Sequence, residues 1–156
     1  MDGPIRTLIV DNDALFRKAT CALLEDTEGM IAVGEARDEQ EAAALVRELH
    51  PDVVLIDVNT VPLDSLQSVM PMDQPYPDSK VILLGVRGQE YLVLEGFRKG
   101  AHGHLVKGES QPFEIVEAIR AVNRGESVLS PHMAGWILDE MARKRQCQLA
   151  QDRRGR

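Results

Sequence analysis

Five short apolar runs recur along the chain, at Leu8-Ile9-Val10, Met30 to Ala36, Val53 to Ile56, Val81 to Leu84 and His104-Leu105-Val106. Val53-Val54-Leu55-Ile56 and Val81-Ile82-Leu83-Leu84 show no polar alternation, the pattern of strands covered on both faces. Between the runs, apolar residues fall at helical intervals. Leu15, Phe16, Ala19, Leu23 and Leu24 predict a first helix. Asp38 followed by Glu41 reads as a capping box opening a second, whose buried positions are Ala42, Leu45, Val46 and Leu49 and which Pro51 closes. Residues 60–79 are the least regular: Leu66, Val69 and Met70 line one short helix, and Pro71, Pro75 and Pro77 break any extension. Gln89 to Lys99 predicts a helix weakened by Gly96 and ended by Gly100. Ser110 and Pro112 open the next, with Ile115, Ile119 and Val122 on one face and Gly125 as its stop. Ser130-Pro131 starts a last helix through about Arg145. Its Met133, Trp136, Ile137 and Met141 are spaced to dock it on the body, or equally to build a dimer seam.

Strand and helix thus alternate five times, with one helix to spare. That order predicts an α/β fold, a doubly wound five-stranded parallel sheet covered on both sides with an extra C-terminal helix. In such sheets the carboxyl ends of the strands open onto the ligand crevice. There is no internal repeat and no low-complexity segment.

The 156 residues suffice for one domain with a real core. No apolar run approaches the ~18–20 residues of a membrane span, and Met1-Asp2-Gly3-Pro4 lacks the basic and apolar parts of a signal peptide. Cys21 and Cys147 lie far apart with no metal-ligand spacing. The expected compartment is the cytoplasm, with no membrane partner. The net charge of −7 is unevenly spread. Residues 143–156 hold six basic side chains against Asp152 alone, and the remainder holds 12 basic and 24 acidic residues. An acidic body argues against the domain gripping nucleic acid by itself, and the basic tail reads as a solvated linker.

Three charged groups end three different strands: Asp11 the first, Asp57 the third, Lys107 the fifth. The predicted topology brings those ends into one crevice. Carboxylates gathered there call for a compensating cation, and oxygen ligands favour Mg²⁺. A lysine beside them suits a phosphoryl oxygen. The chemistry expected is phosphoryl transfer to Asp57, driven by positioning and charge neutralisation. Asp13 reads as a helix N-cap rather than a ligand, and His50, His102 and His132 form no ligand set.

These residues resemble the receiver domain of two-component response regulators. The likeness rests on Leu8-Ile9-Val10-Asp11, Val54-Leu55-Ile56-Asp57-Val58-Asn59 and Lys99 to Lys107, with 46 residues from Asp11 to Asp57 and 50 from Asp57 to Lys107. Ala118 to Pro131 resembles the NarL/FixJ (LuxR-type) subfamily, in which a linker helix and a DNA-binding helix-turn-helix follow the receiver. The resemblance implies a flavodoxin-like sheet of order 2-1-3-4-5, with residues 1–126 as the receiver and 127–156 as linker helix and basic tail. The DNA-binding output domain is expected to be absent from this chain. The resemblance further implies no enzyme but a phosphorylation-controlled regulator. A sensor histidine kinase would supply the phosphoryl group, and homodimerisation and transcription would be the output. Asp57 matches the phosphoacceptor. Asp11 matches the first residue of the Mg²⁺-binding acidic pair, Asn59 the backbone-carbonyl ligand, and Lys107 the phosphoryl-contacting lysine.

Departures from the family pattern are equally specific. The second acid of the pair is Asn12, which keeps an oxygen and loses a charge, so weaker Mg²⁺ binding is expected. The Ser or Thr at the end of the fourth strand is Gly85, and the aromatic switch on the fifth is His104, expected to be half-exposed. The loop proline is displaced to Pro62, and Gly108 follows Lys107. A degenerate receiver, governed by a partner or ligand without phosphorylation, is therefore a second reading. A third comes from Leu8 to Asp13, which resembles the strand and Asp-x-Asp of haloacid-dehalogenase-like phosphatases, with Asp11 as nucleophile and Asp13 as general acid. Ala14-Leu15-Phe16 does not continue that pattern, and turnover of a generic phosphate ester would separate it from the other two.

Overall fold

A computed structural model describes residues 3–69 and 79–155. The apolar runs form five parallel strands, β1 (Ile5–Val10), β2 (Met30–Ala36), β3 (Val53–Asp57), β4 (Lys80–Gly85) and β5 (Gly103–Val106), in the order β2-β1-β3-β4-β5. This is the expected flavodoxin-like order. All five residues of β3 are buried, so the strand is covered on both faces. Its alternate residues feed two cores. Val54 and Ile56 join Leu8, Val10, Val81 and Leu83 beneath α2 (Glu39–Leu49) and α3 (Leu66–Val69). Val53 and Leu55 join Ile9, Ile82, Leu84 and Leu105 beneath α1 (Ala14–Glu25) and α5 (Pro112–Asn123). Each such side chain removed from water contributes about 1.5–3 kcal/mol, which fixes the strand ends relative to one another.

The helix starts follow the sequence closely. Asp13 accepts from Leu15 N and Phe16 N. Asp38 accepts from Glu41 N at 2.9 Å, but the return bond of Glu41 goes to Arg37 N rather than to the cap itself. Ser130 caps α6 (Pro131–Arg154) through Met133 N at 3.1 Å. Ser110 is no cap: its hydroxyl donates to the Val106 carbonyl, and Gln111 precedes the first turn of α5 without a side-chain bond. On α1, Phe16, Leu23 and Leu24 pack on the core as expected, but two other positions do not. Leu15 is exposed, as is Ala19, while Thr20 and Leu24 face the core. A 3-10 turn (Leu63–Ser65) leads into α3, whose Leu66 and Val69 are buried as expected. Met70, Pro71, Pro75 and Pro77 lie outside the described residues.

On α4 (Glu90–Arg98), Gly96 serves packing rather than weakness. A Cβ there would lie 2.2 Å from Leu83 Cδ1, so glycine lets the helix approach β4. α6 runs past Arg145 to Arg154, because Ala, Arg, Gln and Leu favour helix and no Gly or Pro intervenes before Gly155. Met133 is buried and Trp136 meets the Tyr91 ring edge-on at 4.7 Å, docking the start of α6 on α4. Met141, expected on the docking face, is exposed instead. The outer edge of β5 is covered by residue 128, with His104 N donating to Val128 O at 2.9 Å.

Candidate functional site

β1 and β3 are hydrogen-bonded neighbours, with Val10 opposite Ile56, so Asp11 and Asp57 emerge side by side at the carboxyl edge. Both are buried, Asp11 completely. Lys107 follows β5, and its backbone N–H donates to Gly85 O at 2.7 Å, which anchors the residue to the end of β4. Its ammonium reaches across to Asp11 Oδ2 at 2.7 Å and lies 4.8 Å from the centroid of the Phe16 ring. The three strand ends singled out from the sequence therefore converge. Lys107 is paired with Asp11, and Asp57 has a different partner.

That partner is Thr60. Its hydroxyl donates to Asp57 Oδ2 at 2.7 Å and accepts from Asn12 N–H at 3.0 Å, tying the loop after β3 to the loop after β1. The second oxygen of Asp11 accepts from Asp13 N–H at 2.8 Å. Arg17 donates to the Asp11 carbonyl at 2.7 Å and pairs with Glu35 at 3.2 Å, bracing the end of β1. Asn12 and Asn59 are exposed at the rim. The Asn59 side chain accepts from Gln89 Nε2 at 2.9 Å, and Gln89 Oε1 accepts from Val86 N–H at 2.9 Å. Neither Thr60 nor Gln89 is recognisable from sequence. A polar residue three positions beyond Asp57 reads as ordinary loop, and the only available signal is its spacing from a candidate acceptor.

Gly85 and His104 are adjacent, and here one expectation is overturned. His104 is buried, not half-exposed, with 4% of its surface accessible. A Cβ on Gly85 would lie 3.2 Å from His104 Nε2, so the missing side chain on β4 leaves room for an inward imidazole. Both ring nitrogens lack a partner among the described residues. Burial pushes the histidine's pKa from 6.5 down to about 4, against an opposing pull from the Glu90 charge.

The donor set suits a hard divalent cation, since Asp11 and Asp57 offer carboxylate oxygens at one edge, with Asn12 next in the chain after Asp11. Two carboxylates rather than three make the set, and among the described residues no three His, Cys, Asp or Glu side chains are grouped to hold a metal. Any cation on Asp11 Oδ2 also has to share that oxygen with Lys107 or displace it.

The model of the response regulator receiver domain matches residues 7–120. The chain belongs to this family. The receiver is 35% identical over 130 residues to the response regulator GacA of Pseudomonas viridiflava, covering 83% of this chain and 60% of GacA. It is 32% identical over 142 residues to the uncharacterized transcriptional regulatory protein YxjL of Bacillus subtilis, covering 91% of this chain and 65% of that protein. The chain thus spans less than two thirds of the length of these relatives. A two-component response regulator of the LuxR family from Aurantimonas sp. SI85-9A1 superposes with a TM-score of 0.78 at 28% identity, over 90% of this chain and 99% of that one. The receiver's homologues are LuxR/NarL-type response regulators, signalling proteins that are generally not enzymes. Receiver domains generally bind Mg²⁺ at an acidic pocket. Among the described residues no helix is long and apolar enough to cross a membrane.

Proposed function

We propose that Asp57 accepts a phosphoryl group from a sensor histidine kinase, and that the modified domain controls homodimerisation and a transcriptional output. The observation that carries this reading is the convergence at one edge of buried Asp57, buried Asp11 and the Lys107 ammonium 2.7 Å from Asp11. Asp57 shares the carboxyl edge with Asp11, and the Lys107 ammonium held there by Asp11 is the cation that would pass to an incoming phosphoryl oxygen. Asp11, Asp57, the Asn12 amide and the backbone carbonyl of Asn59 are the groups that would hold Mg²⁺, which would supply charge neutralisation for the transferred group, with less affinity than an acid at position 12 would give. Residues 1–126 form the receiver and 127–156 a linker, DNA contact belonging to a separate output domain. The cytoplasm is the compartment this role requires.

Acetyl phosphate with Mg²⁺, read by intact mass, tests the assignment. Weak incorporation of a single phosphoryl group is expected, abolished in Asp57→Asn and increased in Asn12→Asp. Equal incorporation in the native chain and Asp57→Asn would remove Asp57 from the role.

A further inference from the structure

We propose that Thr60 is a positioning residue that acts as a brake on the acceptor, holding Asp57 in its free carboxylate form and shortening the life of the phosphorylated one. The inference rests on the reading of Asp57 as phosphoacceptor. Its basis is the pair of bonds made by one hydroxyl, donated to Asp57 Oδ2 at 2.7 Å and accepted from Asn12 N–H at 3.0 Å. The Asn12 amide uses a lone pair of the oxygen and leaves the hydroxyl's proton for Asp57, its acceptor here. At the other side of the acceptor Gly85 offers no hydroxyl at all, so Thr60 is the side-chain hydroxyl bonded to Asp57 among the described residues.

The direction of the effect follows from charge. In labelling by acetyl phosphate, an Asp57 oxygen forms the new P–O bond as the bond from phosphorus to acetate breaks, and acetate leaves with the electron pair. In hydrolysis, water oxygen bonds to phosphorus, the Asp57–phosphorus bond breaks with its electron pair returning to the carboxylate, and the two protons of water end on the phosphate or, one of them, in solvent. Asp57 therefore carries a full negative charge when free and loses it when phosphorylated. A hydroxyl donor binds an ionised carboxylate roughly twice as strongly as a neutral acyl oxygen. Thr60 stabilises the free form and, in hydrolysis, the carboxylate being released. Its loss should favour the phosphorylated form.

The test compares the native chain, Thr60→Val and Thr60→Ser. Each is labelled with acetyl phosphate and Mg²⁺, freed of donor, and followed by intact mass. Thr60→Val keeps the shape but removes both the proton given to Asp57 and the acceptor of the Asn12 N–H; a half-life about fivefold longer is expected, with the native value in Thr60→Ser. A merely structural role for Thr60 would not be rescued by serine and would not lengthen the half-life. An unchanged or shorter half-life in Thr60→Val overturns the brake. The Asn12 amide resonance, recorded without any phosphoryl donor, separates the two levels of the claim. If it shifts in Thr60→Val while no variant is labelled, the tie between loops is present and the assignment of Asp57 as acceptor is what fails, taking the brake with it. If labelling occurs only at Asp57 and the half-lives agree, the brake alone is wrong.

Discussion

At position 85 the lack of a side chain changes the chemistry of a residue on the neighbouring strand. His104 occupies the space, and its two ring nitrogens are enclosed without partners among the described residues. A protonated imidazole cannot be accommodated there cheaply. The unfolded chain takes up a proton at this position below about pH 6.5, whereas the folded chain resists until about pH 4. Stability should therefore be full above pH 6.5 and fall as the pH drops through that window, by about 2 kcal/mol between pH 7.5 and pH 5. His102 is shifted the same way by burial, with a smaller push from Lys80, and protonating its Nδ1 would cost the bond from Val81 N–H at 3.1 Å. Denaturant unfolding at the two pH values, in the native chain and in His104→Leu, measures the His104 share. The variant should lose most of the pH dependence, and an unaltered slope would show that His104 titrates normally. The same geometry bears on restoring a hydroxyl at position 85. Its Cβ would press on His104 Nε2 at 3.2 Å and approach Gln89 Oε1 at 3.4 Å, so the two positions must be changed together.

Among the elements, α4 stands between the crevice and the last helix. Gln89, just before its first turn, bonds to the Asn59 side chain. Glu90 meets His132 at 3.2 Å, and Tyr91 packs on Trp136 while its hydroxyl donates to Glu140 at 3.3 Å. A change in the loop carrying Asn59 is thus mechanically adjacent to the start of α6. Trp136 is the single tryptophan, so its fluorescence reports on this contact. Adding Mg²⁺ and beryllofluoride should alter Trp136 emission. Gln89→Ala should suppress that change while leaving phosphoryl incorporation at Asp57 within about twofold of native, since an exposed polar contact contributes little to the pocket itself. An undiminished emission change in Gln89→Ala would route the coupling elsewhere. Much of this arrangement was readable before any coordinates. The β3 run, the caps at Asp13, Asp38 and Ser130, and the convergence of Asp11, Asp57 and Lys107 all follow from local pattern plus topology. The burial of His104 was not readable, because it depends on what β4 lacks at Gly85, a relation between strands rather than along one. Thr60 and Gln89 escaped for a similar reason: their roles are set by bonds to residues 48 and 30 positions away. On α1, Phe16, Leu23 and Leu24 follow the pattern, whereas Leu15 and Ala19 face solvent and Thr20 takes a core position that hydropathy alone does not assign to it.

For the molecule as a whole, the question is where cooperative structure stops. The β1-to-α5 body is held by the two cores, and α6 adds to it through Met133, Trp136 and Glu140. Beyond Glu140 every described residue of α6 is exposed, including Met141 and Leu149, so no tertiary packing supports the last turns. An unsupported helix of roughly 14 residues is marginal in water. The basic side chains there repel one another and have little to bind, apart from Arg143 against Glu140 at 2.9 Å. Under native conditions trypsin should accordingly cut first after Arg143, Lys144 or Arg145. The resulting core should unfold within about 0.5 kcal/mol of the intact chain, because the segment removed contributes neither apolar burial nor a bond to the body. Mass spectrometry of the first fragments and guanidinium unfolding of the core measure both halves of this expectation. Resistance at 143–145, or a core several kcal/mol weaker than the chain it came from, would mean that the outer half of α6 is packed in solution against a surface it does not touch here. A second copy of the chain is then the partner to look for, since protection that deepens with protein concentration distinguishes it from the body itself.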